Sequence, residues 1–492
     1  MFALLIFLTR RVDSSSSVVE VNSLRFADLK LPFIIIFICL FFNWLTNWPM
    51  AATSDSMAPV NVAMGNHGLS AWHPLFWVLF VIPFVKLGNI LGDPNIGIGI
   101  CTFVQVLLLA AIYSFVSAWM KRRGVPSTVY WFSIAFFALN PIVAQYAVYL
   151  SKDGLFASFF LLFSVLLFDI AFTKGEILKK REFFITFAVT TFFTASFRMN
   201  AIYATAVILI VLAIVFRKTV WKRIVPLLLV PAIVWFVYGP VCGMLGISRS
   251  PFSESAAVPL SQIGYVLQNG GDIPDEEKET LNKILPLEDW SDAYRKETVN
   301  DIKFHENFDG TYLEEHKNEF LSAWAHVGLW NPIAYFDAWF AMTEGFLNID
   351  TPSDWIAPGA QYHYVDPVGY NPSTELQPSD GLLYSVFGVD LFHHDTGEDV
   401  AVLSNSILFY PFCNIACLVW FAAFVFGLLV ASKRKCMLWT LPVVALFVLY
   451  FTVLIATPVW AEFRYVYAFH LMFPLLLGIL FLHDSGKVRN AS

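Results

Sequence analysis

At 492 residues, 57% apolar, 17% aromatic and only 14% charged, the chain is too greasy for a soluble enzyme of its length and reads as a polytopic membrane protein. Its net charge of −7 hides a division: the stretch 243–405 holds 27 of the 38 acids but only 7 of the 31 Lys and Arg, leaving the remainder basic. Nucleotide-driven chemistry and a nucleic-acid partner are not expected. "GNILGDPNIGIG" has glycines, but no strand leads into it and no lysine follows.

In chain order, "MFALLIFL" runs into Arg10, Arg11 and a Ser-rich stretch with no small-residue cleavage pattern, so a removable signal peptide is not expected. Apolar runs of about 18 to 25 residues, enough to cross roughly 30 Å of hydrocarbon, then recur. Basic clusters in "TRR", "KRRG", "TKGEILKKRE", "RKTVWKR" and "SKRK" should be cytoplasmic. Spans meeting that constraint fall near 31–48, 97–119, 127–149, 154–172, 183–197, 200–216, 224–243, 407–431, 437–457 and 464–482, with both termini inside. The run 74–92 would reverse the sign of "KRRG" if it crossed, so it is expected as a helix on the outer leaflet.

The expected fold is therefore an all-α polytopic membrane protein of about ten transmembrane helices, with a mainly helical extracytoplasmic domain. Its parts are a cytoplasmic segment 1–30, a transmembrane module 31–243 with a first outer loop 49–96, the outer domain 244–405, C-terminal spans 406–482 and a tail 483–492. "PDEEKETLNKILPLEDWSDAYRKETVNDIKFHENF" has the spacing of short amphipathic surface helices. The aromatic stretch after it, "FLSAWAHVGLWNPIAYFDAWFAMTEGFLNID", suits the bundle rim or the lipid interface. Six cysteines lie in or beside apolar runs and read as small core residues, with neither metal spacing nor a disulfide framework.

On this topology four outer corners each offer charge: Asp55 and His73, Lys152 and Asp153 in "YLSKDGLF", Arg198 in "FRMNA", and Glu462 and Arg464 in "AEFRYVY". An outer-face transferase has no access to cytoplasmic nucleotide sugars and would need a donor already flipped on a lipid. Transfer from a polyprenyl-phosphate sugar needs a carboxylate to take the acceptor proton, or to hold a metal that does so, and cations for the departing phosphate. Asp55 can supply the first; Lys152, Arg198, Arg464 and a protonated His73 can supply the second.

A first span, then an outer loop with an acid, then a basic residue with proline opening an apolar helix resembles the GT-C superfamily of polyprenyl-phosphate-sugar-dependent glycosyltransferases. The resemblance implies Asp55 as catalytic base and, in "SKD", Asp153 as second acid; "WHPL" stands where many members carry lysine and two prolines. A closer resemblance, to a bacterial group of multi-span proteins of undefined function placed in that superfamily, is carried by "NPIVAQYAVYLSKDGLFA", "FRMNAIY", "SQIGYVLQNGGDIPDEEKETLNKIL", "YRKETVNDIK", "NPIAYFDAWFAMTEGF" and "EFRYVY", across most of 50–470. The resemblance to the superfamily, rather than to that group, implies an inverting transferase in the bacterial cytoplasmic membrane, with a lipid-linked sugar donor, an envelope acceptor and the bilayer as partners, and a cofactor left open between none and a divalent metal ion.

Plainer readings stand beside these. Asp55 could cap a helix, His73 could end a loop, Lys152 and Asp153 could be an exposed pair, and Arg198 could bridge to Glu462. Glu462 and Arg464, two apart, are either a loop facing one cleft or a snorkelling pair. A flippase would place charge at mid-membrane depth and show repeated halves, neither of which is evident. An envelope polysaccharide polymerase or ligase would use the same outer groups.

Overall fold

A computed structural model describes residues 25–351, 361–363, 377–379, 381–388, 410–432, 437–456 and 459–482. The tail 483–492, most of the 1–30 segment, most of "SKRK", Cys436 and much of 352–409 lie outside these residues.

The described chain is almost wholly helical. Its one sheet has three short antiparallel strands, Met50–Ala51, Gln361–His363 and Gln377–Pro378, with Met50 paired to Tyr362 and Tyr362 to Pro378. Five helices are long and apolar enough to cross a membrane: Phe26–Asn47, Pro94–Arg122, Lys152–Phe172, Trp221–Met244 and Met437–Ala456. Ser127–Leu139 with Pro141–Val148, bent by 50°, makes a sixth if the pair is one span.

That is fewer than the ten expected, and the reason is local. Hydropathy counts residues that the backbone spends on turns and caps. The run 464–482 opens with the turn Phe463–Tyr465, leaving Tyr467–Leu480 with 14 residues. Asn414 breaks 407–431 by accepting from Cys417 N–H as the cap of Ile415–Ala431. These two, with Leu75–Ile90 and Met199–Val215, are apolar helices of 14 to 17 residues, below the roughly 20 of a full crossing.

Lys152–Phe172 runs through the middle of the bundle, with 89% of its apolar window buried. Phe26–Asn47 has 22% buried and turns Ile34, Ile38 and Phe42 outward, surface that suits a bilayer. One end of the bundle is closed by Arg122 with Asp28 and Arg123 with Asp169, both at 2.5 Å. The other end carries the loops after 26–47 and 141–148. There Leu150 N–H donates to Ala51 O at 3.0 Å, and Gln105 donates to the carbonyls of Ala147 and Tyr149 at 2.9 Å.

The 75–90 helix begins and ends at this second end. Near its start the Trp77 ring lies 5.9 Å from Lys152 Nζ. Near its finish Gly88 meets Gly97, two residues before Gly99 abuts Trp48. A Cβ on Gly97 would lie 2.1 Å from Phe84 O, so only glycine allows the hairpin between 75–90 and 94–122 to close.

The expected amphipathic helices form a separate small core around Leu281, Trp290, Ile302 and Phe320. They include Asp275–Ile284, Leu287–Ala293, Lys317–Trp330 and Pro332–Thr343. This unit sits on the second end: Trp460 N–H donates to Glu297 O at 2.8 Å and Trp339 Nε1 to Leu454 O at 2.9 Å. Its aromatic stretch packs on the bundle rim through Trp339 while Leu329, Trp330, Ile333 and Phe336 stay exposed.

Candidate functional site

Where the helical unit meets the bundle lies a cavity of about 540 Å³, and Asp55, His73, Lys152, Asp153, Arg198, Glu462 and Arg464 all line it. They come from four stretches far apart in sequence, each set by a local feature.

Asp55 follows the strand that Ala51 anchors to Leu150, which brings it beside Lys152. The turn Ser54–Ser56 is served by Ser56, whose Oγ accepts from Thr53 N–H at 3.1 Å. The carboxylate of Asp55 therefore caps nothing. Its Oδ2 accepts from Lys152 Nζ and from Arg464 Nη1, each at 2.9 Å. Burial alone would raise this carboxyl, but the two cations outweigh it and hold Asp55 well below the usual carboxylate range.

Ser151 caps the 152–172 helix by accepting from Asp153 N–H at 3.0 Å, and its hydroxyl donates to Asp153 Oδ2 at 3.0 Å. Lys152 and Asp153 are adjacent yet diverge, Lys152 toward Asp55 and Asp153 toward Arg198. Arg198 occupies an extended corner between Arg181–Ser196 and Met199–Val215. Its Nη1 donates to Asp153 Oδ1 and to Arg464 O, both at 2.9 Å, and its guanidinium lies over Tyr465 at 5.0 Å and Phe156 at 5.6 Å. Asp153 is 1% exposed and Arg198 9%. The partner of Arg198 is thus Asp153, and the expected alternative of Glu462 is not what forms.

Glu462 precedes the single turn Phe463–Tyr465, and Ala461 before it adopts φ +51°. The tight turn faces Glu462 and Arg464 into the same cleft, where Glu462 Oε1 pairs with Arg464 Nε. The reading as a loop rather than a snorkelling pair is the one that holds. Burial pushes the Glu462 carboxyl up, only partly offset by Arg464. Arg464, which burial would lower, is held up by Glu462 and its other acidic neighbours, so it stays charged.

His73 differs from expectation. Burial, followed by the charge of Lys152, pushes it down to about 4, so without a bound anion the ring is neutral at pH 7. Its Nδ1 lies 3.4 Å from Lys152 Nζ, placed to accept, and its ring sits edge-on to Trp77.

Residues outside the expected set complete the cavity. Lys303 Nζ donates to Glu254 Oε1 at 2.7 Å from the helical unit, and Asn200 Nδ2 donates to Thr452 Oγ1 at 2.9 Å below it. Lys303 lies inside the quoted "YRKETVNDIK", but in an acid-rich amphipathic segment it looks like any solvated lysine. Its 4% side-chain exposure is set by packing far away in sequence. The lining balances four carboxylates against four cations. Among the described residues no group of three or more His, Cys, Asp and Glu is placed to hold a metal ion, and the acids here already engage cations.

Fold and site together define a helical membrane protein with a charged cavity at one end of its bundle. The chain belongs to a family of unknown function, DUF6020, which it matches over residues 62–492. That range contains every expected site residue except Asp55. No curated protein and no solved structure matches it.

Proposed function

We propose that the chain is an inverting glycosyltransferase that moves a sugar from a polyprenyl-phosphate donor to a cell-envelope glycan, lipid or protein at the outer face of a bacterial cytoplasmic membrane. The observation that carries the reading is Asp55: one carboxylate oxygen gripped by Lys152 and Arg464, in a cavity between an apolar bundle and a polar domain. In this reading the cavity end faces outward, Arg181–Ser196, Met199–Val215, Ile415–Ala431 and Tyr467–Leu480 join the six longer spans to make ten crossings, and 75–90 lies in the outer leaflet.

The donor's phosphate competes with Asp55 for the same two cations. As Lys152 and Arg464 turn to the phosphate, Asp55 loses the charges that depress its basicity and becomes a better proton acceptor. The acceptor hydroxyl attacks the anomeric carbon from the side opposite the phosphate and its proton passes to Asp55. The bond from the anomeric carbon to the phosphate oxygen breaks, and its electron pair stays on the phosphate, where Lys152 and Arg464 offset the charge. Arg198, fixed by Asp153, holds the Arg464 backbone through its carbonyl. Glu462, tied to the Arg464 side chain, keeps that guanidinium inside the cavity.

A transporter would carry its charges at mid-membrane depth. Here the cavity's charges cluster at one end of the bundle beside a polar domain, which supports the enzyme; a polymerase or ligase would use the same chemistry on a longer donor. The test is purified protein in lipid nanodiscs, given radiolabelled polyprenyl-phosphate sugars and an envelope extract. Transfer of label to an envelope acceptor is expected. Donor binding without turnover across the panel would contradict it.

A further inference from the structure

We infer that a second cavity is the acceptor site and that it takes a neutral saccharide chain; the assignment of the term acceptor rests on the transferase reading. This cavity, about 630 Å³, lies under the helical unit and shares Trp72, Ser250, Glu254, Lys303 and Phe304 with the first. Its size is in the range of about 300–1,000 Å³ usual for small-molecule sites, and it lies on the helical unit beside Trp72 of the first outer loop, adjoining the first cavity.

The lining chemistry selects the ligand. Trp72 is 47% exposed and Phe304 67%, unusual for large rings in a cleft, and they flank the passage between the two cavities. The charges around them are mostly engaged. Lys303 Nζ holds Glu254 and lies 5.4 Å over the Phe304 ring; Glu314 accepts from Phe252 N–H and pairs with Lys317; Arg249 donates to Gly239 O at 2.7 Å. The lining has two cations against three carboxylates, which disfavours a phosphate or an acidic chain. The exposed Trp72 ring and the side of Phe304 away from Lys303, set among hydroxyls and paired charges, suit a ligand with apolar ring faces and a polar rim, which is a pyranose. A saccharide lying across Trp72 and Phe304 would present its terminal hydroxyl past the Glu254–Lys303 pair into the cavity of Asp55.

Trp72 and Phe304 are exposed, so truncating either removes little packing. Wild type, Trp72→Ala and Phe304→Ala in nanodiscs would be probed with neutral oligosaccharides released from envelope polysaccharide, read by saturation-transfer NMR, and separately with polyprenyl phosphate. Wild type should bind the oligosaccharides, and each variant should bind them about tenfold more weakly while polyprenyl phosphate binding is retained. Equal saccharide binding in wild type and both variants, or none in wild type that binds polyprenyl phosphate, would overturn the site. Saccharide binding without polyprenyl phosphate binding would uphold the saccharide site and sink the transferase reading instead.

Discussion

Replacing Arg198 by Met removes the cation from the most buried ion pair of the cavity. The side chains of Arg198 and Asp153 are 10% and 1% exposed, and among the described residues the carboxylate is bonded, apart from Arg198, only to its own cap, Ser151. Stranding a charge so deep costs about 3–5 kcal/mol, whereas a solvent-exposed pair is worth about 0–1 kcal/mol. Arg464 O also loses a donor, adding about 1 kcal/mol. Reversible unfolding by SDS titration in mixed micelles would read the loss. The double variant Arg198→Met with Asp153→Asn should recover much of it, because the amide leaves no buried charge, giving a coupling of about 2 kcal/mol in the cycle. Arg198→Lys should fall between, since a point ammonium cannot reproduce the fork and the stacking on Tyr465. A loss below about 1 kcal/mol for Arg198→Met, with no coupling, would mean that Asp153 is not a buried charge neutralised by Arg198.

Other outcomes follow from the same geometry. The folded-state pKa of His73, about 4, lies below its ordinary 6.5, so between these values the unfolded chain binds a proton the folded one refuses. Wild type should therefore lose stability relative to His73→Gln as pH falls from 6.5 toward 4, and a difference constant with pH would contradict it. Gly97→Ala, which in an ordinary helix gains up to about 1 kcal/mol, should destabilise, because its Cβ meets the Phe84 carbonyl in the facing backbone; a rise in unfolding midpoint would contradict the hairpin. Leu329, Ile333 and Phe336 form an exposed apolar ridge next to the rim contact of Trp339, so a photoreactive phenylalanine at 336 should cross-link to phospholipid in vesicles. Cross-linking to protein alone would place the ridge elsewhere.

Much of the site was legible because charge is conspicuous in an apolar chain. Asp153 and Arg198 interrupt greasy runs, and a charge there needs a partner. What the sequence did not reveal was the pairing: Glu462 was the partner expected for Arg198, but the turn Phe463–Tyr465 swings Glu462 to Arg464 and Arg198 pairs with Asp153. The downward shift of His73 comes first from burial and then from Lys152, 79 positions away, and neither is visible locally. Lys303 and Glu254 were hidden for the opposite reason, being ordinary charges in a polar segment that folding buries. Span number was the least legible part of the fold, because hydropathy does not distinguish a full crossing from a helix shortened by a cap, as at Asn414.

Whether Asp55 takes the acceptor proton is measured directly by donor turnover and sugar transfer in nanodiscs by wild type and Asp55→Asn side by side. Loss of a base predicts a fall in transfer of about 10²–10⁴-fold, with polyprenyl phosphate binding kept or tightened because Lys152 and Arg464 are released from a carboxylate. Transfer by Asp55→Asn at the wild-type rate would remove Asp55 as the base.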